Sequence, residues 1–188
     1  MIDSMDTLKY IAKKYRLKLE GQFPIELTKV GRNDLAKLFA ELGFSKGVEL
    51  GTWQGNYSAA LCDANPQLQL FGIDLNSKTP RKAVPNNCRL IRMGSLDAAK
   101  RFVDASLDFV YLDGDHDLAA TTNDLQEWVK KVRSGGIIAG HDYFRYRHTA
   151  QVRAYEAVIA YTGAYRIAPW FVIGREVDPV RSWFWVKA

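Results

Sequence analysis

The stretch GVELGTWQGNYS, residues 47–58, combines three glycines with a carboxylate, two aromatic side chains and a terminal serine. An apolar run, a glycine-rich turn and then a helical pattern predict a strand, a tight loop and a helix. The glycines Gly47, Gly51 and Gly55 lack the G-x-G-x-x-G spacing of the dinucleotide fingerprint, which disfavours a nicotinamide oxidoreductase. The stretch therefore predicts a ligand-binding loop whose ligand must be inferred from the rest of the chain.

The composition is that of an ordinary soluble globular protein. The 188 residues are 47% hydrophobic and 25% charged, which suits one domain with a substantial core. No apolar run approaches the roughly 18 residues of a membrane span, and the charged N-terminus does not fit a signal peptide. Cys62 and Cys88 lack metal-ligand spacing and are typical of reduced thiols. We therefore expect a cytoplasmic protein without a membrane partner, forming one domain over residues 1–188 with a helical extension at 1–30.

The net charge of +5 is compatible with a nucleic-acid partner. The basic residues are dispersed, however, and most fall where a helix surface would be solvated, so a nucleic-acid partner is the less favoured interpretation. Arg145, Arg147 and His148 could recognise an anionic acceptor, although a solvated loop is slightly favoured for them. A homo-oligomer is compatible with the sequence.

Short apolar strands alternate with helical patterns between residues 47 and 139, which predicts an α/β fold with a parallel sheet covered on both faces. The predicted strands are 47–50, 68–73, 89–93, 107–112, 137–139, 165–173 and 182–186. Ligands of such sheets bind beyond the carboxyl ends of the strands. The polar and glycine residues that this rule gathers at one edge are Glu49, Gly51, Gly55, Asp74, Gly94, Ser95, Asp113, His116, His141 and Asp142.

From about residue 31 onward, the chain resembles the class I S-adenosylmethionine-dependent methyltransferases. The segment VELGTWQGNYS is similar to their first motif, FGIDLN to their second-strand acid and MGSLDAA to their adenine-side turn. The segments VYLDGDHDLAATTNDLQEW and SGGIIAGHDY resemble the small branch related to catechol-type and sugar O-methyltransferases, many of which use a divalent metal. The resemblance implies a Rossmann-like, seven-stranded, mostly parallel sheet whose last strand is antiparallel.

The resemblance also implies S-adenosylmethionine as the cofactor. Gly51 and Gly55 would let backbone N–H groups approach its methionine carboxylate, although a tight turn without a ligand has the same pattern. Asp74 would accept both ribose hydroxyls, or else cap a helix.

Three further residues have cofactor roles that the resemblance implies. Gly94 and Ser95 belong to the adenine-side turn, where Ser95 would face the adenine amino group, or else serve the turn alone. Glu49 would lie near the methionine end of the cofactor, and a carboxylate that only braces the loop is equally compatible.

Three potential metal ligands follow neighbouring strands. Asp113 ends one strand, and His141 and Asp142 end the next, so a divalent cation that activates an acceptor hydroxyl is slightly favoured over purely loop-orienting roles. In the related enzymes acidic and amide residues stand at these positions, so His141 is a departure. An all-oxygen site suits Mg²⁺, whereas an imidazole favours Mn²⁺, Fe²⁺ or Zn²⁺. The alternative is that His141 only braces Asp142.

The segment LDGDHD adds candidates for proton transfer. His116 is a possible general base because its ordinary pKa is near 6.5, and a surface role is an even alternative. Asp113 would act with it in catalysis. Asp115 would support the metal site or serve as an alternative ligand, and Asp117 would cap the next helix.

The favoured function is metal-assisted O-methylation of a small-molecule hydroxyl. The alternatives are a metal-independent methyltransferase and a non-enzymatic nucleic-acid-binding module that uses the basic surface.

Overall fold

The computed structural model describes residues 4–75, 84–145 and 152–188. Its helices are α1 (Ser4–Tyr15), α2 (Arg32–Glu41), α3 (Asn56–Ala64), α4 (Ser95–Ala99), α5 (Leu118–Lys131) and α6 (Ala154–Ala164). Its strands are β1 (Ile25–Leu27), β2 (Lys46–Leu50), β3 (Gln69–Asp74), β4 (Cys88–Arg92), β5 (Leu107–Leu112), β6 (Val132–Gly140), β7 (Trp170–Ile173) and β8 (Ser182–Val186).

The strands form one sheet in the order β1-β7-β8-β6-β5-β2-β3-β4. Strand β8 lies between β6 and β7 and runs antiparallel to both, while all other neighbouring pairs are parallel. The predicted α/β sheet with an antiparallel last strand is therefore confirmed.

Helices cover both faces of the sheet, also as predicted. Because side chains alternate along a strand, Tyr111 of β5 points to one face while Val110 and Leu112 point to the other. The first face packs against α1, α2 and α3, and the second against α4, α5 and α6. The sheet is thus buried on both sides, and the strand ends are left to form a site.

The prediction of seven strands is wrong, because the described residues form eight. The additional strand is β1, which pairs in parallel with β7 at the edge of the sheet. It has only three residues, too few for an alternating pattern to be recognised. The segment at residues 1–30 therefore contributes a strand as well as helix α1.

Two predicted boundaries also differ from the structure. Strand β7 begins at Trp170 rather than at residue 165, since α6 continues to Ala164 and Arg166 adopts a left-handed backbone (φ 51°). Strand β6 begins at Val132 rather than at residue 137, so the Gly135–Gly136 pair lies inside the strand. A Cβ at Gly136 would collide with the carbonyl oxygen of Asp108, so this glycine permits close strand packing.

The aromatic residues near the C-terminus belong to the core. At most 4% of the surface is exposed in each of Trp170, Phe171, Trp183, Phe184 and Trp185.

Within the described residues, no helix has the length and apolar character needed to cross a membrane.

Candidate functional site

A cavity of about 820 Å³ lies at the carboxyl ends of β2, β3 and β5, within the size range of small-molecule and cofactor sites. The predicted site residues in its wall are Gly51, Asp74, Ser95, Asp113 and His116. The topology thus gathers residues from four separate loops around one space.

The loop between β2 and α3 depends on its glycines. Gly51 has a φ of 79°, and a Cβ there would overlap the carbonyl oxygen of Asp113. Gly55 has a φ of 74° and forms the N-cap of α3, outside the cavity wall. Only a residue without a Cβ fits at Gly51, so this glycine allows the loop to lie directly against the end of β5.

Asp74 lies at the end of β3 and connects that strand to the loop. Its Oδ2 accepts a hydrogen bond of 2.8 Å from the backbone N–H of Trp53. Asp74 also lines the cavity. It therefore holds the loop in place at the edge of the cavity.

Ser95 donates its hydroxyl hydrogen to the carboxylate of Asp124, which also lines the cavity. Asp124 is buried, and burial raises its pKa to about 6. Gly94 is the N-cap of α4 and does not line the cavity. The pair of Ser95 and Asp124 therefore forms the polar part of this wall.

Asp124 is not among the site residues predicted from the sequence. A signal was present, because Asp124 lies on the same stripe of α5 as the buried Thr121, Leu125 and Trp128. A carboxylate on the buried stripe of a helix is costly unless it has a partner or a function.

Glu49 is buried on the other side of β2 and is absent from the cavity wall. Its carboxylate accepts a hydrogen bond from the hydroxyl of Ser58 in α3, rather than from loop N–H groups. Burial raises the pKa of Glu49 to about 8. This geometry corresponds to a carboxyl group that braces α3 against the sheet.

Asp113, His141 and Asp142 come together beside the cavity. One ligand atom from each lies within 4.8 Å of the others. Nδ1 of His141 is 3.5 Å from Oδ1 of Asp113 and 3.5 Å from Oδ2 of Asp142. Burial raises the pKa of Asp113 to about 6, although nearby His141 opposes that shift.

The backbone explains why these three residues meet. The N–H of Asp113 donates to the carbonyl of Leu50, and the N–H of His141 donates to the carbonyl of Leu112, both at 2.9 Å. These bonds extend the pairing of β2, β5 and β6 by one residue, so the polar side chains start where the sheet ends. Trp183 of β8 supports the loop after β6, because its Nε1–H donates a hydrogen bond of 3.0 Å to the carbonyl of His141.

His116 pairs with Asp142, with 2.9 Å between Nδ1 and Oδ2. This hydrogen bond raises the pKa of His116 above its ordinary value. Burial would raise the pKa of Asp142, but hydrogen bonds from His116 and His141 outweigh it, and the pKa falls below its ordinary value. The Asp142 carboxylate therefore orients the His116 ring through its Nδ1.

The remaining predicted residues surround this centre. Asp115 lines the cavity, and Asp117 caps α5 by accepting a hydrogen bond of 2.7 Å from the N–H of Ala120. Arg145 is exposed. Arg147 and His148, the other candidates for binding an anion, lie outside the described residues.

Solved structures show the same fold. A candidate O-methyltransferase from Klebsiella pneumoniae is 16% identical, with a TM-score of 0.68 over 97% of this chain and 90% of that chain. A candidate caffeoyl-CoA O-methyltransferase from Staphylococcus aureus is 16% identical, with a TM-score of 0.62 over 98% of this chain and 92% of that chain.

A third similar structure is a candidate O-methyltransferase from Nostoc punctiforme, 16% identical, with a TM-score of 0.64. The alignment covers 83% of this chain and 55% of that one, so this chain spans just over half of the Nostoc protein. At such low identities these similarities show the fold alone.

Sequence comparison identifies the family. No curated protein matches the chain. Residues 48–143 match the family model described as a methyltransferase domain, which covers about half of the chain and includes the glycine loop, Asp74 and the cluster of Asp113, His141 and Asp142. The chain therefore belongs to the methyltransferase-domain family, and it is an S-adenosylmethionine-dependent methyltransferase.

Proposed function

We propose that this enzyme methylates a hydroxyl group of a small-molecule acceptor, with a divalent cation held by Asp113, His141 and Asp142. The observation that carries the proposal is the convergence of three ligand atoms within 4.8 Å of one another. Asp113 belongs both to this cluster and to the wall of the cavity. An acceptor held at the cluster would therefore lie beside the cofactor.

The donor set fits a divalent cation. Two carboxylates and one imidazole are suitable ligands for Mn²⁺ or Fe²⁺, and the carboxylates also suit Mg²⁺. When bound, such an ion lowers the pKa of a coordinated hydroxyl. The partly buried position of the cluster reduces screening by water, which favours binding of a positive charge between the two acids.

His116 supplies the proton acceptor in this proposal. Its Nδ1 is occupied by Asp142, so Nε2 is the nitrogen that can take the acceptor proton. The hydrogen bond to Asp142 also stabilises the imidazolium ion formed after that transfer. His116 lines the cavity, as a general base for this reaction must.

The other cavity residues serve the cofactor. Asp74 would accept the ribose hydroxyls, and the backbone at Gly51 would receive the methionine end. Ser95, which donates its hydrogen to Asp124, presents oxygen lone pairs that could accept from the adenine amino group. These contacts position the methyl group, which is the main task of the protein in this reaction.

A metal-independent methyltransferase is the second candidate. The 2.9 Å contact between His116 and Asp142 favours it, because a histidine oriented by a carboxylate can remove a proton without a cation. Membership in an enzyme family argues against the non-enzymatic nucleic-acid-binding module.

Calorimetry with metal ions separates the two candidates. Chelator-stripped protein loaded with S-adenosylhomocysteine is titrated with Mn²⁺ and with Mg²⁺. We expect the parent to bind at least one ion, and Asp113→Asn and Asp142→Asn to weaken binding more than about 10-fold. The affinity for S-adenosylhomocysteine should stay nearly unchanged in both variants.

Asp97→Asn is the matched control. Asp97 is an exposed aspartate paired with Lys100, outside the cluster, so its replacement should leave metal binding unchanged. If the parent binds neither ion, the metal-assisted proposal fails and the metal-independent enzyme replaces it.

A further inference from the structure

Trp53 has an unusual position for a large aromatic residue. It lines the cofactor cavity, yet 73% of its surface is exposed. Burying an indole is strongly favourable, so core packing does not explain why this side chain stands beside an open cavity.

The loop backbone determines where the Trp53 side chain is placed. Trp53 has a φ of 41°, a left-handed conformation that is uncommon for residues other than glycine. Its N–H donates to Asp74 at 2.8 Å, and the N–H of Gly51 donates to the carbonyl of Ile73, also at 2.8 Å. The N–H of Gly55 closes the turn on the carbonyl of Thr52 at 2.7 Å. The loop is therefore fixed by hydrogen bonds, and it presents the indole to the cavity.

Acidic side chains outnumber basic ones around Trp53, where His116 also lines the cavity. Among the described residues that line the cavity, there are four aspartates and neither a lysine nor an arginine. The aspartates are Asp74, Asp113, Asp115 and Asp124. A cavity with this lining attracts positively charged groups.

We infer that Trp53 binds the sulfonium ion of S-adenosylmethionine through a cation–π contact, so that the site distinguishes the methylated cofactor from its product. The two molecules differ by one methyl group and one positive charge. The face of an indole is the best cation–π partner among the side chains. In methyl transfer the nucleophilic atom of the acceptor forms a bond to the methyl carbon. The bond between sulfur and that carbon breaks, and its electron pair remains on sulfur. The sulfur becomes a neutral thioether, and the attraction to Trp53 is lost.

The expected effect on affinity follows from this difference in charge. A cation–π contact at a partly exposed site changes affinity by about 2- to 30-fold. That change should apply to S-adenosylmethionine and be absent for S-adenosylhomocysteine. The contact should thus strengthen binding of S-adenosylmethionine without strengthening binding of S-adenosylhomocysteine, so the product is held less tightly than the cofactor.

Binding of three probes to two variants tests the inference. The probes are S-adenosylmethionine, S-adenosylhomocysteine and sinefungin, which carries an ammonium group where the cofactor carries its sulfonium methyl. Trp53→Leu keeps an apolar side chain but removes the ring, and Trp53→Phe keeps a ring. Calorimetry is performed with chelator present, so the result does not depend on the proposed metal site.

We expect Trp53→Leu to bind the two cationic probes about 3- to 30-fold more weakly and S-adenosylhomocysteine within 2-fold of the parent. Trp53→Phe should retain most of the preference. Tyr165→Leu, which removes a similarly exposed aromatic side chain outside this cavity, should change nothing. Equal losses for all three probes would show apolar packing alone and overturn the inference, as would no loss for any probe or a parent that binds none of them.

Discussion

His116 and Asp142 are joined by a contact of 2.9 Å between Nδ1 and Oδ2, which links the loop after β5 to the loop after β6. Asp142 is also one of the three clustered metal-ligand candidates. The same carboxylate therefore serves the proton acceptor and the proposed cation, and both proposed mechanisms depend on it.

Replacing the histidine should slow the chemical step and leave cofactor binding intact. For His116→Gln we expect methylation of a catechol probe to slow by about 10²- to 10⁴-fold, as is typical for loss of a general base. The affinity for S-adenosylhomocysteine, measured by calorimetry, should stay within 2-fold of the parent. A variant that keeps the parental rate would show that another group takes the proton.

Replacing Asp74 should weaken cofactor binding in two ways. Asp74→Ala removes the predicted ribose contact and the acceptor of the Trp53 N–H. We expect a loss of about 1.5 to 3 kcal/mol, the range for hydrogen bonds to a charged group, when S-adenosylhomocysteine is titrated. Asp97→Ala, at an exposed position, is the control. Parental affinity in Asp74→Ala would rule out the ribose role.

Glu49 should make the stability of the parent dependent on pH. Its pKa is raised from an ordinary 4.5 to about 8 in the folded state, so folding favours the protonated carboxyl. This contribution is fully present below about pH 4.5, declines as the pH rises, and is lost once the pH passes about 8. Between these values the loss approaches 1.4 kcal/mol per pH unit.

Glu49→Gln isolates this effect, because glutamine keeps the acceptor for Ser58 and cannot ionise. The free energy of unfolding, measured by urea denaturation from pH 5 to pH 9, should therefore fall less steeply in the variant than in the parent. Other titrating groups contribute equally to both proteins and cancel in the difference. Parallel curves would mean that Glu49 is already ionised in the folded protein.

Gly51 and Gly43 form a matched pair for testing the loop. Both have a positive φ, 79° and 68°, but a Cβ at Gly43 would meet no atom within 4 Å. Gly43→Ala should cost about 1 to 2 kcal/mol of stability through backbone strain alone. Gly51→Ala should cost about 3 kcal/mol or more, because the added methyl group also collides with backbone. Similar melting temperatures for the two variants would contradict the tight packing of this loop on β5.

The sequence predicted those parts of the fold where a long pattern repeats. The alternation of strands and helices between residues 47 and 139 identified the parallel sheet, and the polar residues after each strand identified the edge at which the cavity lies. Strand β1 was missed because three residues cannot show periodicity. The early start of β6 was missed because the role of Gly136 depends on Asp108, which is distant in sequence.

The site was predictable to the level of the residues that follow strands. Asp74, Asp113, His141 and Asp142 lie where the strand-end rule placed them. Side-chain contacts between separate elements were not predictable from the sequence. The hydrogen bond of Ser95 with Asp124, for example, depends on how helices α4 and α5 pack. The face of the sheet to which the Glu49 side chain points was also not predictable, since that face depends on the register of the strand.

The place of β8 between β6 and β7 has a consequence for synthesis on the ribosome. Both neighbours precede β8 in the chain, so the gap between them stays open until residues 182–186 have emerged. Trp183, which supports the carbonyl of His141, arrives with this strand. The nascent chain therefore carries the loops after β2, β3 and β5 well before the loop of His141 and Asp142 is supported, and it exposes two unpaired strand edges in the meantime.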